Sequence, residues 1–485
     1  MNRTQLRLFA SALPILLASV ATPVAASAQE ATQRSSAVSI RVPFEKYVLP
    51  NGLTVVLAQD HSTPTVAVEV LYHVGSKNEQ IGRTGFAHLF EHVMFTGSGH
   101  IPYGSHDRYT EGVGGSNNGN TTNDFTQYYE TVPSNYLEDA LWLESDRMGW
   151  LLDALDTAKY NAQRDIVKNE RRQGVDNQPY GRANEIIKAA MYPRTNPYSW
   201  PVIGSMTDLS AASVDDVKAF FRLYYAPNNA ILAITGDFDP AKTKAWIAKY
   251  FSGVPRGKPI VRPTVSRTRL AAEKRLVYED RVQVPRLYLD WPTVGENNDD
   301  QYALDVLAAV LTQSRISRLT KALVYDTQAA ASVGSYQSTS ELAGDFAVVI
   351  TPRPGHTLTE LEADADSIIA TLRRDGPTDD EIARSKASLQ LAFVSGLESN
   401  LGKAQRLAIG QAFHNDPNRA FAVDYAKYQA VTAADVKRVA NTYLGKRRVV
   451  LSIVPIGKKD QASKPNASVT VSQTTNDKAH SSEGK

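Results

Sequence analysis

Two histidines four residues apart form the pair in this sequence best suited to binding a metal ion. His88 and His92 frame the stretch HLFEH, and Glu91 lies between them. Residues four apart on a helix lie one above the other, so both imidazoles can reach one ion. Imidazole is a favoured ligand of zinc, and a catalytic zinc keeps one position open to water. A nearby carboxylate can accept a proton from that water, so the spacing predicts a hydrolytic metal site with Glu91 as general base.

A helix is expected over this stretch because its apolar residues recur at helical spacing and form one face. These residues are Phe86, Leu89, Phe90, Val93 and Met94. Thr84 is predicted to cap the amino terminus of this helix. The alternative interpretation is three polar residues on a solvated helix face. With nine histidines in the chain, a chance match to the pattern has odds of about one in a hundred.

The motif H-x-x-E-H is the reverse of H-E-x-x-H and is known as the inverzincin signature. At these residues the chain resembles the pitrilysin/insulinase family of zinc peptidases, which includes the mitochondrial processing peptidases and shorter bacterial members. The resemblance implies one zinc ion per chain, with a third ligand from a glutamate in a later helix. Glu170, in the segment QRDIVKNERR, lies at the expected distance. On the residues alone, Glu144 and Glu185 remain alternatives, and cobalt or manganese remains possible.

The resemblance also points to groups around the metal. Family members often carry a second glutamate two helical turns before the ligand, and here that position is Gln163, which can hydrogen-bond but carries no charge. In the family, substrate pairs by β-augmentation with an edge strand that follows an Asn-x-x-Thr stretch. Asn118, Thr121 and Thr122 match this stretch. One strand is predicted over residues 120–132, with an interior position in the sheet as the alternative.

The second half of the chain repeats the first. The segment beginning at Thr432 matches that beginning at Ser213, and the strand at 449–454 matches 230–235 at the same offset. A repeat of this length predicts an α+β protein with two structurally related α/β-sandwich domains, each with a mixed sheet and helices. The resemblance implies that these domains are arranged as a clamshell.

The repeat does not carry the metal ligands. When the helices are aligned, His88, Glu91 and His92 correspond to the apolar residues Leu304, Leu307 and Ala308. Metal chemistry is therefore assigned to the first half.

The second domain also lacks two groups that the resemblance implies. Family members commonly have an arginine and a tyrosine there that hold substrate, and these positions are Val324 and Ala331. A shifted alignment would bring Tyr325 or Tyr336 to one of them. Some bacterial members work as pairs, in which one subunit carries the metal and the other the arginine and tyrosine. The chain resembles the metal-bearing half of such a pair, so we expect a dimer, with a homodimer and a heterodimer as the two alternatives.

Two functions therefore compete. The first is a zinc-dependent endopeptidase that hydrolyses extended peptides or unfolded protein segments. The second is a non-catalytic or partner-dependent subunit that binds peptide between its domains, which Val324 and Ala331 favour and the intact metal motif opposes. A purely structural zinc site is disfavoured, because such sites are rich in cysteine and the chain has none.

Composition limits the remaining possibilities. The 485 residues include 53 basic and 51 acidic ones, and this balance does not indicate a nucleic-acid or acidic-membrane partner. Without cysteine there are no disulfides and no thiol chemistry. Residues 1–28 resemble a secretory signal, with Arg3 and Arg7, an apolar run and an A-x-A site ending at Ala28. We expect cleavage there and export to the periplasm; an uncleaved anchor is the alternative, although the apolar run is short.

Domain boundaries follow from these segments. The predicted order is a signal peptide at 1–28, a metal-bearing domain at 40–255, a proline-rich linker at 256–273, a related domain at 274–457 and a disordered tail at 458–485.

Overall fold

The first half of the chain forms a six-stranded mixed sheet in the computed structural model, which describes residues 40–472. Its strand order is β1-β2-β6-β3-β5-β4. The strands are β1 Glu45–Val48, β2 Thr54–Gln59, β3 Thr65–Tyr72, β4 Ser116–Thr121, β5 Thr126–Pro133 and β6 Ala230–Gly236. The helices are α1 Phe86–Val93, α2 Ser105–Glu111, α3 Leu137–Ala154, α4 Thr157–Arg171, α5 Ala183–Met191, α6 Met206–Ala211, α7 Val214–Tyr224 and α8 Pro240–Phe251.

The second half forms another six-stranded sheet, with the order β12-β7-β11-β8-β10-β9. Its strands are β7 Lys274–Asp280, β8 Arg286–Pro292, β9 Ala330–Thr339, β10 Gly344–Pro352, β11 Val449–Pro455 and β12 Val469–Thr470. Its helices are α9 Asp300–Thr312, α10 Leu358–Asp375, α11 Asp379–Ser395, α12 Asn400–His414, α13 Tyr425–Ala430 and α14 Ala433–Tyr443.

The two sheets have the same topology. Strands β2, β6, β3, β5 and β4 of the first occupy the places of β7, β11, β8, β10 and β9 in the second. Only the outermost position differs, because β1 pairs antiparallel with β2 whereas β12 pairs parallel with β7. The predicted pair of related α/β sandwiches, which a clamshell requires, is confirmed.

Each half supplies a helix to the sheet of the other. Leu407 and Ala408 of α12 are fully buried in one apolar cluster with Ala67 and Ala233 of the first sheet. In return, α5 of the first half packs on the second sheet, where Ile187 lies in a cluster with strand β11. Burial of a leucine side chain stabilises by about 2 kcal/mol. Each sheet therefore has one face covered by a helix from the other half, while its main core is built from its own half.

The segment 120–132 is not one strand, and this prediction is wrong. It forms the end of β4, a turn at residues 122–125 and most of β5. The Thr122 hydroxyl accepts hydrogen bonds from the N–H groups of Asp124 and Phe125, both at 3.0 Å. This local bonding competes with the strand ladder and reverses the chain. β4 is the edge strand, whereas β5 lies inside the sheet between β3 and β4.

Residues 458–472 are ordered, which corrects the predicted disorder of this part of the tail. Ala462 and Ser463 are buried, the Ser463 hydroxyl donates to Glu362 and β12 pairs with β7. Burial against the second domain orders a polar segment whose composition indicates disorder. Residues 473–485 and the predicted signal at 1–28 lie outside the described part of the chain. Within 40–472, no helix has the length and apolar composition needed to cross a bilayer.

Candidate metal centre

The helix that carries the motif begins at a glycine and not at the predicted Thr84. Gly85 is the N-cap, with a φ of 91°, and a Cβ atom there would lie 2.8 Å from the carbonyl oxygen of Ile203. Glu79 supplies the cap, accepting hydrogen bonds from the N–H groups of Gly85 and Ala87 at 3.0 and 2.8 Å. Burial raises the pKa of Glu79 to about 8, against the effect of these bonds. The Thr84 hydroxyl instead donates to Asp208.

The apolar face of α1 anchors the helix in the first core, as its spacing predicts. Phe86, Leu89, Phe90 and Val93 are all buried, and the Phe90 ring lies 5.0 Å from that of Tyr225. The polar residues therefore lie on the opposite side of the helix.

The structure brings the three predicted ligands together. Glu170 Oε2 lies 3.2 Å from His92 Nε2 and 3.7 Å from His88 Nε2. One ligand atom from each residue lies within 4.8 Å of the others. The His88 and His92 rings are 4.9 Å apart at an interplanar angle of 84°, so their nitrogens converge without stacking.

This donor set fits a divalent ion. Two imidazoles and one carboxylate, with the site open to solvent on one side, are a ligand set of catalytic zinc. Burial, with the neighbouring His92, lowers the pKa of His88 to about 4, so the imidazole is neutral at pH 7, the form that binds metal. The other two candidate glutamates pair with arginine instead, Glu144 with Arg147 and Glu185 with Arg171, and neither belongs to the convergent group.

Glu91 lies on the same helix, against the edge strand β4. Its Oε2 atom is buried and accepts no hydrogen bond from any residue between 40 and 472. Burial raises the pKa of this carboxyl, although hydrogen bonding from Thr121 opposes the effect. A Cβ atom on Gly119 of β4 would lie 3.2 Å from Glu91 Cγ and equally close to the ring of Tyr128. A peptide paired with β4 would therefore pass directly beside Glu91.

The residues predicted to bind substrate lie on and after β4. Asn118 is exposed and accepts a hydrogen bond from the N–H of Gly119 at 2.8 Å. The Thr121 hydroxyl donates to the carbonyl of Ala87 on α1 at 3.4 Å, which ties the strand to the motif helix. Thr122 lies in the turn and shapes it.

Gln163 is buried on α4, two turns before Glu170. Across residues 40–472, no hydrogen bond joins it to the three ligands, so a contact with the metal site stays a prediction. In the second domain, Val324 packs against the core and Ala331 is exposed near the start of β9. Tyr325 and Tyr336 are also exposed.

Sequence reasoning missed the groups that hold the two ligand helices together. Arg171, immediately after the ligand Glu170, is buried and donates to Glu185 and to the carbonyl of Gly204. Gly204 packs against Gly85 at the start of α1. A basic residue beside a ligand has no distinctive sequence signal, because arginine is common on exposed helix faces.

The corresponding site in the second domain cannot bind metal. Leu304, Leu307 and Ala308 are buried on α9 within its core. Among the described residues, His88, His92 and Glu170 form the one group of three or more histidines or acids arranged to hold an ion.

Comparison with protein families also distinguishes the first domain, which has the candidate ligands, from the second, which lacks them. The model of insulinase, peptidase family M16, matches residues 54–204, which include all three ligands and Glu91. The model described as the peptidase M16 inactive domain matches residues 211–389. The chain belongs to the insulinase family of peptidases. The match agrees with a first domain that carries the candidate ligands and a second domain with apolar residues at their positions.

Two relatives are similar in sequence to this chain over most of its length. Zinc protease PqqE of Helicobacter pylori is 29% identical over 404 residues, covering 82% of this chain and 90% of the relative. The mitochondrial-processing peptidase subunit beta of Blastocladiella emersonii is 23% identical over 423 residues, covering 84% and 87%.

Solved structures show the same fold. A protease from Helicobacter pylori superposes with a TM-score of 0.80 at 27% identity, covering 85% of this chain and all of that one. A putative M16-like peptidase from Alicyclobacillus acidocaldarius gives a TM-score of 0.74 at 20% identity, with 86% and 100% covered.

Proposed function

We propose that this insulinase-family protein is a zinc-dependent endopeptidase whose substrates are peptides or unfolded protein segments. The observation that supports the proposal most is the convergence of His88, His92 and Glu170 beside Glu91. The names of relatives as zinc proteases agree with zinc as the metal. We propose one zinc per chain, which the one candidate ligand group among residues 40–472 supports.

In this proposal each side chain has a definite role. His88, His92 and Glu170 hold the ion, which when bound polarises a peptide carbonyl and makes a water molecule more acidic. Glu91 accepts the proton from that water and returns it to the amine that leaves. Burial raises the pKa of Glu91, which makes its carboxylate a stronger base.

The substrate must be extended to reach this base. β4 is an edge strand, so an added strand can pair along its outer side once the N–H of Gly119 is released from the Asn118 side chain. Gly119 leaves room for Glu91 between the strand and α1. Pairing along residues 116–121 would lay a peptide bond beside Glu91, whereas a compact folded protein cannot add a strand there.

We propose that full activity requires a dimer, either with a second copy of the chain or with a different subunit. Val324 and Ala331 replace the arginine and tyrosine expected in the second domain, and a partner would supply them. One relative is the beta subunit of a mitochondrial processing peptidase, as its name states. The competing function, a subunit that binds peptide without cleaving it, rests on the same two positions.

An assay with an internally quenched peptide separates these functions. The purified chain is tested alone, with a chelator, and with a candidate partner from the same organism. Cleavage that is lost on chelation and restored by zinc supports the peptidase. If none of these mixtures cleaves the peptide but the chain still binds it, the peptidase proposal is wrong and the non-catalytic function is supported.

We also propose export to the periplasm, which rests on the pattern of residues 1–28. Sequencing of the mature amino terminus from a periplasmic fraction tests this. A terminus at Gln29 supports the proposal, and a mature chain that retains Arg3 and Arg7 contradicts it.

A further inference from the structure

The turns of the two edge hairpins meet at the boundary between the domains. The turn between β4 and β5 carries Asp124, and the turn between β9 and β10 carries Glu341. Asp124 accepts the backbone N–H of Glu341 at 2.9 Å. The Tyr198 hydroxyl donates to Asp124 at 2.5 Å and accepts the N–H of Leu342 at 3.0 Å. The metal-bearing domain therefore binds the backbone of the second domain at this turn.

A buried lysine joins the side chains of the two turns. The Lys77 side chain is only 1% exposed, and its Nζ lies 3.0 Å from Asp124 and in contact with Glu341. His73 Nε2 lies 2.7 Å from the same Glu341 oxygen. Burial acts to raise the pKa of Glu341, but hydrogen bonding from His73 and the charge of Lys77 lower it to about 2. Glu341 is thus ionised at neutral pH, and we call Lys77, Asp124 and Glu341 the interdomain ion cluster.

The backbone beside Lys77 is attached to the end of the substrate strand. The N–H groups of Ser76 and Lys77 donate to the carbonyls of Thr122 and Asn123 at 3.2 and 2.9 Å. Gly75 is in such close contact with this turn that a Cβ atom would lie 2.5 Å from Asn123. The turn in which β4 ends therefore contacts both the backbone at Ser76 and Lys77 and, through Asp124, the interdomain ion cluster.

Other contacts connect β4 to the helix that carries two of the candidate metal ligands. On α1, Thr121 donates to the carbonyl of Ala87, and Gly119 faces Glu91. The strand is held by α1 on one side and by the interdomain ion cluster at its end. A small shift of the turn would therefore move β4 relative to Glu91.

We propose that Glu341, through Lys77, is a positioning residue that holds β4 in the place where substrate pairs with it beside Glu91. The second domain, which has no metal ligands, would then contribute to substrate binding without touching the substrate. This proposal rests on the proposed peptidase function. Without the Glu341 charge, the buried Lys77 ammonium keeps only Asp124 as an anionic partner, which is unfavourable. We expect the turn that carries Asp124 to shift in response.

The test compares Glu341→Gln and Lys77→Met with a matched control. Lys403→Met removes another interdomain ion pair, between α12 and Asp60 after β2, far along the chain from β4. We expect KM for a quenched peptide to rise about tenfold in the two cluster variants, with kcat within about twofold of wild type, the pattern of lost binding. The control keeps the wild-type KM. Unchanged KM in the cluster variants, or an equal rise in the control, overturns the proposal.

Hydrogen exchange makes the test independent of catalysis. Faster exchange at residues 116–121 is expected in the cluster variants and not in the control, with zinc content unchanged. If wild type neither cleaves nor binds peptide, the peptidase function fails while this measurement still decides whether the cluster holds β4. Wild-type exchange at β4 in Glu341→Gln contradicts the proposal.

Discussion

Glu170 Oε2 lies 3.2 Å from His92 Nε2, although a short helix, a hairpin and a long helix separate α1 from α4 along the chain. This contact joins the third ligand to the histidine motif. Next to Glu170, Arg171 donates to the carbonyl of Gly204, which packs against Gly85 at the start of α1. A contact outside the site therefore also links α4 to the start of α1.

Loss of the third ligand should weaken metal binding. Glu170→Gln removes the one carboxylate of the set, and we expect zinc affinity to fall by at least about 100-fold, the upper end of losses from outer-shell changes. Competition with a chromophoric chelator measures the affinity. Asp165→Asn on the same helix is the control, because its side chain is 61% exposed. Wild-type affinity in Glu170→Gln would remove Glu170 from the ligand set.

Loss of the base should leave the metal in place. Glu91→Gln keeps the size of the side chain but cannot accept a proton, and we expect peptide hydrolysis to fall by about 10²- to 10⁴-fold. Zinc content, measured by atomic absorption, should equal that of wild type. Glu111→Gln, at an exposed position on α2, should keep full activity. Substantial hydrolysis by Glu91→Gln would exclude Glu91 as the base.

Added bulk on β4 should displace the base. In Gly119→Ala the new methyl group would lie 3.2 Å from Glu91 Cγ, so the carboxylate must move by a few tenths of an ångström. Because ångström-scale misplacement costs about 100-fold, we expect a loss in kcat of about tenfold. Gly334→Ala on β9 is the matched control, since nothing lies within 4 Å of its added atom. Equal kcat values for the two variants would contradict the close approach.

The second domain should lose stability in acid through Glu362. This side chain is buried and pairs with Arg275 and Arg448. Burial acts to raise its pKa, but hydrogen bonds from Arg275 and Ser463 lower it from 4.5 to about 2. Because the pKa of Glu362 is lower in the folded state, its ionised form stabilises the fold fully above about pH 4.5. This stabilisation is lost as the pH falls towards 2. The loss should be on the order of 3 kcal/mol.

Urea titration between pH 5 and about pH 2.5 tests this dependence. Glu362→Gln should reduce the slope of unfolding free energy against pH, because the substituted amide does not titrate. Asp364→Asn, on the same helix but outside this ion pair, should keep the wild-type slope. Parallel slopes for wild type and Glu362→Gln would show that Glu362 does not cause the dependence.

The local parts of the site were predictable from the sequence. His88, Glu91 and His92 lie within one helix, so their spacing alone places them on one face. The apolar stripe beside them also identified the buried side of α1. Glu170 comes from another helix, and only the family resemblance distinguished it from Glu144 and Glu185.

What could not be predicted depends on tertiary contacts. Glu79 caps α1 from outside the helix, so Thr84 had the stronger local signal. The exchange of α5 and α12 between domains leaves no mark in periodicity, because each helix is amphipathic whichever sheet it covers. The turn at 122–125 did have a signal, since Asn123 and Asp124 are common turn residues, but the β-branched residues around them favoured one continuous strand.

Anomalous diffraction at the zinc edge, from crystals grown with one equivalent of zinc, tests the central claim most directly. We predict one peak per chain, about 2.0–2.2 Å from His88 Nε2, His92 Nε2 and a carboxylate oxygen of Glu170. A peak at other residues, or no peak between α1 and α4, would contradict the account.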